Sequence, residues 1–195
     1  LRANEKAKKR KLAHDKKVAA KTIEKGLLIV HTGSGKGKST AAFGLAARAI
    51  GNGMKVGVVQ FVKGAWETGE RKVLEAFPDQ VDIRVLGEGF TWETQDRERD
   101  IRAAEAGWRA AMEMIHDTGF DLVILDEINI VLRYDYLALA AVLEGLNGRP
   151  KGLHVVLTGR NAKPELIEAA DLVTEMTQIK HPFRSGVKAQ KGIEF

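Results

Sequence analysis

The 195-residue chain contains no cysteine. That excludes disulfides, a thiolate zinc site and a cysteine nucleophile, and with them a zinc-lobed nucleoside kinase. No apolar run approaches the ~20 residues that a membrane-spanning helix needs. The N-terminal segment is charged rather than apolar, so it does not read as a secretory signal. A cytoplasmic protein without a membrane partner is expected. An Asn-Lys-x-Asp run for guanine recognition is missing, and so is a Gly-x-Gly-x-x-Gly dinucleotide fingerprint.

What is present is ordinary for a folded domain: 44% hydrophobic and 29% charged residues. At this length one α/β domain can bury a substantial core. The formal charge of +5 is unevenly spread. Residues 1–25 carry ten Lys and Arg against Glu5, Asp15 and Glu24, a balance of +7 that leaves −2 for residues 26–195. The expected division is therefore a basic, helical arm over 1–25 and a domain over 26–195. A basic arm invites a nucleic-acid reading. It holds no aromatic residue for base stacking, so a helix that docks on an anionic site of its own or a partner subunit is preferred.

Residues 32–40 read Thr-Gly-Ser-Gly-Lys-Gly-Lys-Ser-Thr and follow the apolar run Leu27-Leu-Ile-Val30. A strand, a glycine-rich loop ending in Gly-Lys-Ser and a helix-compatible run make a P-loop. Gly33, Gly35 and Gly37 permit tight turns that aim backbone N–H groups at phosphate oxygens. Lys38 supplies a point charge and the Ser39 hydroxyl a Mg²⁺ ligand. The whole stretch (Thr32, Gly33, Ser34, Gly35, Lys36, Gly37, Lys38, Ser39 and Thr40) is the candidate nucleoside triphosphate site. Thr32 stands where the usual Gly-x4-Gly-Lys-Ser/Thr pattern has its first glycine. This is either a tolerated variant or a sign that the triphosphate sits differently from its place in a hydrolase.

Buried parallel strands are expected at Leu27–Val30, Val56–Phe61, Val81–Leu86, Leu122–Leu125, His154–Leu157 and Leu172–Glu175, all rich in Val, Ile and Leu. Helices are expected at Ser39–Ile50, Glu70–Phe77, Gln95–His116, Tyr136–Leu146 and Pro164–Ala170. Gly51 and Gly53 suit the end of the first, Gly119 the end of the third, and Asn161 the cap of the last. The expected fold class is α/β: a P-loop NTPase, RecA-like, three-layer fold with a mostly parallel central sheet and right-handed crossovers. Ligands of such sheets bind beyond the carboxyl ends of the strands. The loops of interest are thus 32–39, 62–69, 87–95, 126–135, 158–163 and the tail 180–195.

Leu122-Val-Ile-Leu-Asp126-Glu127 is a buried strand ending in two acids, a Walker B pattern. Asp126 and Glu127 join Ser39 as candidate metal ligands, with the choice between the two acids open. The loop Gly89-Phe90-Thr-Trp92-Glu-Thr-Gln95 places two large aromatics at the ligand end of the sheet, where core packing explains them poorly. The tail from His181 to Phe195 mixes glycine, bases and aromatics and suggests binding surface. His181 is a possible ligand, although a lone His more often packs or hydrogen-bonds.

Taken in order, several motifs resemble one family. They are the variant loop, Val56-Gly-Val-Val-Gln-Phe61 with the following Lys-Gly, Gly-Phe-Thr-Trp-Glu-Thr-Gln, Leu-Asp-Glu, Thr158-Gly-Arg160, and Gly186-Val-Lys-Ala-Gln-x-Gly-Ile-Glu-Phe195. Over residues 26–195 the chain looks like an ATP:corrinoid adenosyltransferase of the CobA/CobO/BtuR type, and its basic arm resembles the CobO branch. Ser34 stands where many members have Asn. The resemblance implies transfer of the 5′-deoxyadenosyl group of ATP to Co(I) of a corrinoid, cob(I)yrinic acid a,c-diamide or cob(I)alamin. Triphosphate is released, in adenosylcobalamin synthesis or salvage.

It further implies Mg²⁺ or Mn²⁺ held by Ser39 and Glu127, and Lys38 stabilising the leaving triphosphate. Phe90 and Trp92 would occupy the lower face of the corrin and displace its axial ligand. An external flavoprotein would serve as reductant. A homodimer is implied, in which the arm closes over the partner's site. The chain has no Asp-x-His-x-x-Gly motif, consistent with making the cofactor rather than using it. Two alternatives belong to other classes: a P-loop ATPase acting as a nucleic-acid-associated switch or motor, and a non-catalytic ATP-dependent corrinoid carrier.

Overall fold

Strands β1 (Leu28–Thr32), β2 (Val56–Gln60), β3 (Val81–Val85), β4 (Leu122–Asp126), β5 (His154–Thr158) and β6 (Leu172–Glu175) form one sheet in the order β3-β2-β4-β5-β1-β6. Every pairing is parallel. The structure, a computed structural model, describes residues 2–62, 68–87 and 96–194. Phe90, Trp92 and Trp66 lie outside these. Burial follows sheet position. All five residues of the central strands β1, β2 and β4 are buried, whereas the edge strands β3 and β6 are not. A parallel strand covered on both faces has no solvated side to which polar residues could alternate, which explains the continuous apolar runs.

The covering helices are α2 (Lys38–Gly51), α3 (Gly69–Leu74), α4 (Arg97–His116), α5 (Ile128–Arg133), α6 (Leu139–Asn147) and α7 (Pro164–Ala169). On one face α2 and α3 bring Phe43, Ala46, Ile50 and Leu74 against Ile29, Val58, Ile124 and Val156. On the other, Met114 and Ile115 of α4, Leu132 of α5, Leu146 of α6 and Leu166 of α7 pack on Val30, Val123, Leu125 and Val155. These two apolar layers and the sheet between them are the expected three-layer arrangement, and all six strands run parallel. The basic segment forms α1 (Arg2–Ala19), and the described side chains from Asn4 to Ala19 are exposed, Leu12 and Val18 among them. Among the described residues no helix is long and apolar enough to cross a membrane.

Three local expectations change. Residues 128–133 form α5 rather than loop, because Glu127 takes a left-handed conformation (φ 65) and turns the chain from strand to helix with no spacer. The run Ile-Asn-Ile-Val there has too much β-branching to signal a helix by composition. Asn161 does not cap the last helix: it is itself left-handed (φ 56), and Lys163 precedes Pro164 at the helix start. Helix α6 begins at Leu139, three residues after Tyr136. Gly53 (φ 77) supplies the left-handed residue after α2, with Asn52 as the cap; after α4 the cap is Asp117, whose Oδ1 accepts the Gly119 N–H at 2.8 Å.

Asp171 fixes the point where the arm meets the sheet. Its Oδ2 accepts the N–H of Leu28 at 2.9 Å, its Oδ1 bonds the Lys25 ammonium, and Arg149 lies 3.7 Å away. The Lys25 contact, followed by the Leu28 N–H, holds its carboxyl below the usual carboxylate range. A depressed carboxylate pKa gives stabilisation that is full at neutral pH and is lost as pH falls through the folded-state value. Asp171→Ala should destabilise the fold by about 1–2 kcal/mol, the scale of a lost hydrogen bond to a charged acceptor. Urea melts of the two proteins should differ at pH 7 and converge in strong acid.

Candidate active site

The P-loop bridges the end of β1 and the start of α2. Gly33 (φ 96) and Gly37 (φ 101) occupy backbone conformations that side chains rarely adopt. Gly35 is needed for closeness instead: a Cβ there would sit 2.7 Å from the Met176 carbonyl oxygen, which already accepts the Gly35 N–H. Thr32 is buried at the last position of β1, and its hydroxyl accepts the N–H of Ala162 at 3.0 Å. A glycine could not make that bond. The unusual residue therefore ties the loop to the segment after β5.

Lys38 is 7% exposed, and its ammonium donates to the Gly35 carbonyl. Burial pushes its pKa down, the charge of Glu127 raises it, and the charges of Arg160 and Lys36 lower it further. Beneath it His31, also buried, places Nδ1 3.3 Å from the Lys38 carbonyl oxygen, and burial lowers its pKa too. Ser39 is half-buried in the first turn of α2, and Ser34 and Thr40 are exposed. Lys36 is directed to the tail, where its ammonium pairs with Glu194; that contact lowers the Glu194 pKa. A groove of about 420 Å³ runs beside the loop, with Phe43, Ala47, Val73 and Ile193 among its apolar walls.

The two acids have different surroundings. Asp126 is fully buried; Oδ2 accepts from Gln60 Nε2 at 3.0 Å and Oδ1 from the Thr158 hydroxyl at 2.8 Å. Glu127 is half-buried, with its carboxylate packed beside Gly159: a Cβ on Gly159 would lie 3.2 Å from Glu127 Oε2. Its N–H donates to the Thr158 hydroxyl at 2.9 Å. Asn129 completes the edge by donating from Nδ2 to the Gly159 carbonyl at 3.1 Å.

The structure thus gathers the loop, Asp126 and Glu127 at the carboxyl edge of β1, β4 and β5, with Gln60, Thr158, Asn129 and Arg160 around them. None of these four was singled out by residue type. The motif Val56-Gly-Val-Val-Gln-Phe61 held Gln60, the loop 126–135 held Asn129, and the loop 158–163 with its Thr-Gly-Arg motif held Thr158 and Arg160. His181 acts locally, its Nδ1 accepting the Phe183 N–H at 3.2 Å.

A buried ammonium in the first turn of a helix, with a second cation close enough to lower its pKa, is suited to a polyanion. Hard oxygen donors from Ser39 and Glu127 suit Mg²⁺ or Mn²⁺, which bind through one or two carboxylates plus substrate phosphates. Among the described residues no cluster of three or more His, Cys, Asp and Glu offers a self-sufficient metal cage.

Two tests follow. Arg160→Ala should weaken nucleoside triphosphate binding about tenfold, the scale of a charge-assisted hydrogen bond. In addition, kcat/KM for the nucleotide should fall on the alkaline side at a pH below the ordinary lysine range, as Lys38 loses its proton. Because Glu127 raises the Lys38 pKa, Glu127→Gln should move that limb to still lower pH. A limb unmoved in the variant's pH–rate profile would contradict the coupling.

Comparison with known proteins agrees with the motif order. The family profile described as ATP:corrinoid adenosyltransferase BtuR/CobO/CobP matches residues 24–195. A corrinoid adenosyltransferase of Pseudomonas aeruginosa is 55% identical over 194 residues, covering all of this chain and 96% of its own. One from a Sinorhizobium species is 60% identical, covering 96% and 88%. Corrinoid adenosyltransferase CobA of Salmonella typhimurium is 49% identical, covering 93% and 91%. The nucleic-acid switch or motor is not favoured by these relatives. The chain belongs to the ATP:corrinoid adenosyltransferase family.

Proposed function

We propose that the chain binds ATP on the P-loop with C5′ of the ribose presented to Co(I) of a corrinoid. The observation that carries this reading is the buried Lys38 ammonium of the glycine loop, with the Glu127 charge near enough to raise its pKa. The cobalt electron pair attacks C5′, the C5′–O bond breaks, and triphosphate leaves with that bonding pair. No phosphorus is attacked, so no water needs activation. Lys38, the loop N–H groups and Arg160 stabilise the charge that grows on the departing oxygen. Ser39 and Glu127 would hold a divalent cation, which supplies further neutralisation of the triphosphate. Co(I) is itself a strong nucleophile, so the protein's main contribution is alignment.

Phe90 and Trp92 are assigned to the lower face of the corrin, with an external flavoprotein as the electron source. The basic helix α1 is assigned to the site of a second copy in a homodimer. Its uncovered Leu12 and Val18 support that assignment.

Anaerobic incubation with Mg-ATP and chemically reduced corrinoid tests the central step. Triphosphate together with a light-sensitive adenosylated corrinoid is the expected product pair. ADP and phosphate formed without regard to corrinoid would overturn it. For the aromatic loop, Trp92→Ala should impair the reaction that starts from Co(II) far more than one supplied with Co(I). Equal losses in the two assays would remove the axial-ligand role.

A further inference from the structure

Thr158 ends β5, the strand that separates β1 from β4, and it is fully buried. Its one hydroxyl is used twice. It donates to Asp126 Oδ1 at 2.8 Å and accepts the Glu127 N–H at 2.9 Å. A backbone N–H can only donate, so the Thr158 oxygen accepts from Glu127 and its one proton goes to Asp126. From the far side, Gln60 of β2 donates to Asp126 Oδ2 at 3.0 Å and fixes the carboxylate plane. The result is a directed chain from the Glu127 N–H through the Thr158 hydroxyl to Asp126, braced by Gln60.

Glu127 needs such a hold. It sits at φ 65, a region that a non-glycine residue occupies only where its surroundings over-determine it. The same turn starts α5 at Ile128 and lays the Glu127 carboxylate against Gly159. Asn129, one residue into that helix, donates to the Gly159 carbonyl and holds that glycine against the turn. The direction of the Glu127 side chain is therefore set through its backbone.

We propose that Thr158 is a positioning residue for the transfer reaction: its Asp126-oriented hydroxyl locks the Glu127 backbone and thereby aims the Glu127 carboxylate at the metal–triphosphate. Asp126 then orients rather than ligates. The inference rests on the reading that Glu127 and Ser39 hold the divalent cation. It extends that reading to Gln60 and Thr158, two residues inside motifs that the nucleotide chemistry had not absorbed.

The test measures ATP binding with a fluorescent analogue, in EDTA and in saturating Mg²⁺; the ratio of the two affinities is the gain due to metal. Glu127→Gln should abolish most of the gain. Thr158→Val keeps the side-chain volume and loses the hydroxyl. It should bind in EDTA within twofold of wild type while the gain falls at least fivefold. Thr158→Ser should restore the gain to within twofold, which a role in packing alone would not produce. If the valine variant does not fold, Thr158→Ala, which leaves room for water, takes its place with the same expectation. A gain that survives Glu127→Gln overturns the metal reading itself. A gain lost in Glu127→Gln but intact in the Thr158→Val or Thr158→Ala protein, or not restored by Ser, overturns the role of Thr158 alone.

Discussion

A lysine ammonium held inside a protein with, among the described residues, one carbonyl as direct acceptor is costly, and the architecture around Lys38 is arranged about that cost. Burial favours its neutral form, so the fold gains stability as pH rises toward the ordinary lysine range. Glu127 offsets part of the cost from across the sheet edge. Arg160, Lys36 and the N-terminal end of α2 add to it. Around the Lys38 ammonium two further cations oppose its charge and one acid supports it. A molecule with several negative oxygens relieves that imbalance, and binding energy is then available for orientation.

The sheet makes this possible by register. Gln60 on β2 is paired with Asp126 on β4, and His31 on β1 with Thr158 on β5. Four polar side chains far apart in sequence end on one line where the strands stop. With β5 between them, the strand that feeds the P-loop and the strand that carries the acids are not neighbours. Thr158 lies in that gap and faces both halves of the site: beside His31 on one flank, bonded to Asp126 and Glu127 on the other.

Much of this was legible in advance. Six apolar runs separated by helical stretches placed all six strands. Those covered on both faces are made from little except Val, Ile and Leu, and the edge strands β3 and β6, expected buried, keep some of these residues without being buried. The P-loop and the acid pair were legible because phosphate chemistry restricts residue type and spacing together. The rest depended on pairing. A glutamine after three apolar residues, or a threonine before a glycine, has no chemistry of its own; each acquires one from the neighbour that the register supplies. The helix after β4 was hidden for a local reason. Its entry turn is made by Glu127 in a left-handed conformation, where a glycine or asparagine would have announced the change. The value of Thr32 was equally invisible, since its partner Ala162 belongs to another strand's loop.

The pairing of β1 also has a consequence in time. Leu28 finds its neighbours in Val155 of β5, while Ile29 meets Leu172 of β6, so the first strand of the body is completed by the last two. Contacts of such long sequence separation form late, because the intervening chain must first be closed into a loop. As the polypeptide emerges in order, the glycine loop is made early but has no walls. The nucleotide cradle is complete only once β5 and β6 have joined β1, since Ala162 and Met176 bond Thr32 and Gly35.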